Sequence, residues 1–66
     1  MKLNKYRLEL AMARACMNAR DLRQNGISST TISRAINGED LTVKTVGRIA
    51  RTLNVDVAEI IEEVKQ

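Results

Sequence analysis

The sequence predicts an all-α fold in one small domain spanning residues 1–66, and three observations carry that expectation. The chain has 66 residues with one cysteine and no histidine, so it builds neither a disulfide framework nor a Cys/His metal site. A short chain without such staples is most economically helical, because helices satisfy their backbone hydrogen bonds locally. Apolar residues recur at helical spacing, and amide, hydroxyl and acid residues stand where helix caps belong. There is no proline, tryptophan or phenylalanine, and Tyr6 is the only aromatic residue, so the core is aliphatic.

Five helical segments follow in order. The first runs over about 4–15, with Leu8, Ala11, Met12 and Ala15 at helical spacing. Asn18 is placed to cap the second, with Asp21 three residues on, where an acid suits a helix N-terminus. That helix ends near Gln24 at the turn dipeptide Asn25-Gly26, whose glycine takes positive φ without steric cost. Ser28 caps the third helix, about 29–36, which stops at Asn37-Gly38. Thr42 caps the fourth, where Val43, Val46, Ile49, Ala50 and Leu53 form an apolar stripe and Asn54 is a left-handed stop. Asp56 and Glu59 are spaced as a capping box for a fifth helix with apolar positions Val57, Ile60, Ile61 and Val64. Gly47 lies inside the fourth helix, where glycine is roughly 1 kcal/mol worse than alanine. Either a close helix crossing or a side chain omitted to admit another backbone accounts for it.

The formal charge is +3 and its distribution is uneven. Lys2, Lys5, Arg7, Arg14, Arg20 and Arg23 face only Glu9 and Asp21 in the first third, while Asp56, Glu59, Glu62 and Glu63 dominate the end. A basic body with an acidic C-terminal segment suits a polyanion approached from one side; an ordinary solvated surface is the alternative. No apolar run approaches membrane length and no signal-peptide core opens the chain, so a soluble cytoplasmic protein with a reduced Cys16 is expected. Catalysis is not expected. With no histidine, one cysteine and no glycine-rich phosphate loop, neither a nucleophile–base pair nor a metal site assembles, and no cofactor or small-molecule ligand is indicated.

The most informative stretch is 26–38. It reads as a tight turn and a short helix whose outer face is small hydroxyls and one arginine. Such a face is poor for burial and suited to the DNA major groove, where hydroxyls and a guanidinium meet base edges and phosphates.

Gly26-Ile27-Ser28, Thr31-Ile32-Ser33-Arg34, Asn37-Gly38 and the run from Thr45 to Asp56 together resemble the Cro/cI-type (Xre-like) helix-turn-helix domain of phage and bacterial regulators. The resemblance covers roughly residues 8–61 and implies a compact five-helix, lambda-repressor-like fold. Helices 2 and 3 would form the helix-turn-helix, and the third helix would enter the major groove of double-stranded DNA. It implies Ser29, Thr30, Ser33 and Arg34 as base contacts and Asn18, Ser28, Asn37, Gly38 and Lys44 as phosphate contacts. Each has a plainer reading. Ser28 and Asn18 cap helices with or without DNA, Arg34 pairs with Glu39 or Asp40, and Lys44 and Arg48 are a solvated helix face. Thr31, expected to be half-buried, ranks below Ser29 and Thr30.

The sequence departs from that pattern in five places. Leu22 to Gly26 is one residue short, with Arg23 where a small residue is usual. A frequent arginine–glutamate pair becomes Met12 and Ile36, which should then touch, because replacing both ends of a buried ion pair costs little. The glutamine that often opens the second helix is Ala19. Glu39-Asp40 puts two carboxylates beside the loop expected at phosphate. Cys16 takes the place of a glycine that often ends the first helix, as a small, partly buried residue.

The expected function is a repressor-like transcription regulator, dimeric on a two-fold operator with half-sites about 34 Å apart. The chain ends just after the fifth helix, so Ile61 and Val64 are the dimer-contact candidates, with Ile60 assigned to the core. The alternative is a helix-turn-helix module that binds another regulator, a toxin or polymerase without reading DNA.

Overall fold

The computed structural model describes residues 1–62. Four helices appear among them: α1 (Lys5–Arg14), α2 (Ala19–Gln24), α3 (Ser29–Ile36) and α4 (Val43–Thr52). A single 3-10 turn, Val57–Glu59, follows.

Each helix starts and stops on side chains that sit next to it in sequence. Asn4, Asn18, Ser28 and Thr42 lie in extended backbone and accept a hydrogen bond from the amide three residues on. Asp21 completes a capping box by accepting from the Asn18 amide at 2.9 Å. All four helices stop in the same way. A left-handed residue follows the C-cap: Cys16 (φ 54°), Gly26 (φ 90°), Gly38 (φ 72°) and Asn54 (φ 57°). The next amide then reaches back five residues, as from Ile27 to the Leu22 carbonyl at 3.1 Å and from Glu39 to the Arg34 carbonyl at 3.0 Å. Cys16 is exposed, contrary to the partly buried position expected of it, because the left-handed residue of such a motif points away from the helix it closes.

One aliphatic core serves all the elements. Leu3, Leu8, Ile49, Ile60 and Val46 are its largest fully buried side chains. Leu22 of α2, Ile27 of the turn, and Ile32 and Ala35 of α3 complete the side beneath the helix-turn-helix. Met12 of α1 and Ile36 of α3 are both half-buried against this core. Val43 departs from its expected stripe and is 73% exposed, since it begins α4 before the helix has met the core.

The fifth helix is the main correction. Asp56 and Glu59 do form the capping box, but the helix closes only one 3-10 turn. The competitor is the N-terminal segment, which pairs antiparallel with residues 60–62 through a bridge between Leu3 and Ile61. The Asn4 amide donates to the Ile60 carbonyl and the Glu62 amide to the Lys2 carbonyl, each at 2.8 Å. A continuing helix needs both of those groups for itself. The β-branched Val57, Ile60 and Ile61 also favour extended backbone. Val64, the remaining apolar position of the expected helix, lies outside the described residues.

The same N-terminal segment reaches the loop after α3. The Met1 α-amino group donates to Asp40 Oδ1 and to the Leu41 carbonyl, both at 2.7 Å. Leu41 returns its amide to the Met1 carbonyl at 2.6 Å. Residues 1–4 therefore stitch the α3–α4 loop to the end of the described chain.

Candidate nucleic-acid interface

α3 has two unlike faces because its sequence alternates at helical spacing. Ile32 and Ala35 are buried, while Ser29, Thr30, Ser33 and Arg34 are exposed. On a helix, residues four apart share a row. Ser29, Ser33 and Asn37 form one row and Thr30 and Arg34 the next. Thr31 is half-buried, and its hydroxyl oxygen accepts from Ser28 Oγ at 2.9 Å, which engages it in the cap.

The remaining candidates divide between both ends of the helix-turn-helix. Asn18 and Ser28 are exposed caps of α2 and α3, so their side-chain oxygens are committed to the Asp21 and Thr31 amides. Asn37 is the exposed C-cap of α3, with Nδ2 directed at Ser33 Oγ over 3.5 Å, and Gly38 is the half-buried left-handed residue beyond it. Lys44 is exposed on the first turn of α4. Arg34 Nε stands 3.9 Å from Glu39 Oε1, with both side chains more than half exposed. An exposed pair at that distance is worth at most about 1 kcal/mol, so it gives way readily to a better anion.

The acidic pair in the loop is compensated within the fold. Asp40 meets the N-terminal ammonium, and Glu39 faces Arg34. The ammonium's hydrogen bond and charge, with help from Lys2, hold the Asp40 carboxyl below its usual range.

Three features escaped the sequence reading. Arg48 of α4 donates to the Gly26 carbonyl at 3.3 Å, which fixes the turn between α2 and α3 to α4. The N-terminal clamp holds the loop just past the other end of α3. A cleft of about 370 Å³ opens between α2 and α3, with Arg23, Ser29, Ser33 and Asn37 around it and Ala19, Ile32 and Ile36 as its apolar surface. The four-residue step from Ala19 to Arg23 on α2 was the available signal for that cleft. Among the described residues, no cluster of three or more His, Cys, Asp or Glu is arranged for a metal, and no helix is long and apolar enough to cross a membrane.

A short, capped α2, a glycine turn with a buried isoleucine behind it, and an α3 with an exposed polar face together define a helix-turn-helix. A family model described as Cro/C1-type HTH DNA-binding domain matches residues 7–66. The chain belongs to that DNA-binding family, which is defined by nucleic-acid recognition and not by catalysis. No curated protein and no solved structure matches it significantly.

Proposed function

We propose that the protein is a sequence-specific transcription regulator, a repressor of the phage and bacterial Cro/cI (Xre) kind, that inserts α3 into the major groove. One observation carries the reading: the exposed rows of Ser29 and Ser33, and of Thr30 and Arg34, stand on a helix whose opposite face is locked into the core. Hydroxyls and a guanidinium are groups that meet base edges, with arginine on guanine the commonest specific contact. Asn18, Ser28, Asn37, Gly38 and Lys44 flank that face and serve the phosphates. The pairing of Asp40 with the N-terminal ammonium supports the DNA reading over a protein-only module, because the carboxylate charge nearest the loop is offset.

A single short helix makes few contacts, so a two-fold dimer on a symmetric operator supplies the missing affinity. Ile61 is half-buried beside Leu3 and keeps part of its surface for a partner; Val64 is the second contact. The protein then works in the cytoplasm, where its operator is.

Selection of duplexes from a random pool, followed by salt titration, tests this. An enriched two-fold motif with affinity falling steeply as salt rises is the expected result. Enrichment of one short site removes the dimer. No enrichment, or an Arg34→Ala variant that binds as well as the parent, overturns the readout by α3.

A further inference from the structure

The cleft between α2 and α3 has a carbon surface that hydrogen-bonding readout leaves unused. Ile32 is buried at its base, and Ala19 and Ile36 are half-buried with part of each side chain open to it. Around them stand the exposed Arg23, Ser29, Ser33 and Asn37, and no carboxylate lines the cleft. An apolar recess ringed by one cation and neutral hydrogen-bonding groups fits an apolar group carried on a polyanion. On the base edges of a DNA major groove, that group is the C5-methyl of thymine.

We infer that this cleft is a thymine-methyl pocket, with Ala19 and Ile36 as specificity-determining residues beside the polar readers. The inference rests on the DNA-binding reading and adds a base identity to it. Two residue choices make the pocket. Alanine at the start of α2 leaves open the space that a longer side chain would fill. Isoleucine near the end of α3 gives the recess a hydrocarbon wall. The cleft is wider than one methyl, so it takes the methyl together with the adjoining sugar. Arg23 then sits at the mouth for the phosphate of the same strand. Ser29 and Ser33 line both the cleft and the exposed row of α3, so a thymine seated there is adjacent to the bases they read.

The test uses the tightest duplex from the random-pool selection and fluorescence anisotropy. Each thymine is replaced in turn by deoxyuridine, which lacks only the methyl. Burying one methyl corresponds to about a fourfold gain in affinity. The expected result is a roughly fourfold loss at one thymine position per half-site and little change elsewhere. Ala19→Gln, which puts a polar amide into the cleft at a solvent-accessible helix start, should abolish that difference while keeping the parent melting temperature. A second variant, Arg23→Ala, should weaken binding to the thymine and uracil duplexes equally. Uniform affinity across all uracil substitutions on a tightly bound duplex overturns the pocket and leaves the DNA reading standing. Discrimination that survives in Ala19→Gln also overturns it. Failure to bind any duplex overturns the DNA reading, and the pocket with it.

Discussion

Replacing Gly47 with alanine should stabilise the protein, although the position is in the interior of a packed helix. Gly47 is the fifth residue of α4 and is half-buried. A Cβ built there meets no heavy atom within 4 Å among the described residues. The close helix crossing that would have required glycine is therefore absent, and the helix-propensity penalty stands uncompensated. Alanine recovers about 0.8–1 kcal/mol of it. A domain of this length has a total stability of about 3–10 kcal/mol, so the gain is a sizeable fraction. It should raise the melting temperature by about 4–8 °C in a circular-dichroism melt and shift the urea midpoint upward with an unchanged slope. A melting temperature equal to or below the parent's would refute the reasoning, since it would mean that the new methyl meets something in the folded state. DNA affinity measured on the same variant separates the second explanation. Unchanged affinity makes the glycine merely tolerated, whereas a loss alongside the higher melting temperature means that it admits a partner's backbone.

The other left-handed and long-range features give further expectations. Cys16→Gly relieves a cysteine held at φ 54° and should stabilise by up to about 1 kcal/mol, net of the unfolded-state entropy glycine adds. Asn54→Gly should gain less in the same melts, because asparagine tolerates that backbone. Leu3→Ala removes a side chain that is 2% exposed and should cost about 2–5 kcal/mol; a loss below about 1 kcal/mol would mean that the N-terminal segment does not pack in solution. Asp40 has a depressed carboxyl pKa in the fold, so its contribution is present above the unfolded value and is lost as pH falls through the folded one. Asp40→Asn should thus be less stable than the parent at pH 7, with the gap closing in melts as pH falls below the ordinary aspartate range; a gap independent of pH would exclude the ion pair. Glu39→Gln frees Arg34 and should raise DNA affinity by up to about fivefold at low salt, with the gain fading at high salt. Weaker binding would show that Glu39 orients Arg34.

Legibility followed the range of the interaction that decides each feature. Asn18, Ser28, Thr42 and Asp56 were readable as caps because their partners lie two or three residues away. Gly26, Gly38 and Asn54 were readable as stops because a left-handed backbone restricts residue type locally. The fifth helix failed for the opposite reason. Its capping box is local and formed, but the Ile60 carbonyl and the Glu62 amide are claimed by residues more than fifty positions earlier. The exposure of Val43, the Arg48–Gly26 contact and the α2–α3 cleft depend likewise on how helices meet, which periodicity does not encode. The polar face of α3 was legible because it is one helix with Ile32 and Ala35 marking its buried side.

Relative to the helix-turn-helix pattern the sequence resembles, Leu22 to Gly26 is one residue short. The turn itself is complete: Asn25 caps α2, Gly26 is left-handed, and the Ile27 amide reaches the Leu22 carbonyl at 3.1 Å with Ile27 buried. The shortening therefore falls on α2, which ends two residues after Leu22, and not on the geometry that launches α3. A six-residue helix is too short to orient its neighbour through its own rigidity. Orientation of α3 rests on its buried face, Ile32 and Ala35, and is reinforced by contacts from distant parts of the chain: Arg48 on the Gly26 carbonyl at one end, and Met1 on Asp40 and Leu41 just past the other. DNA affinity in this protein should accordingly be sensitive to residues that never approach DNA. Leu3, buried in the core and bridged to Ile61, is foremost among them.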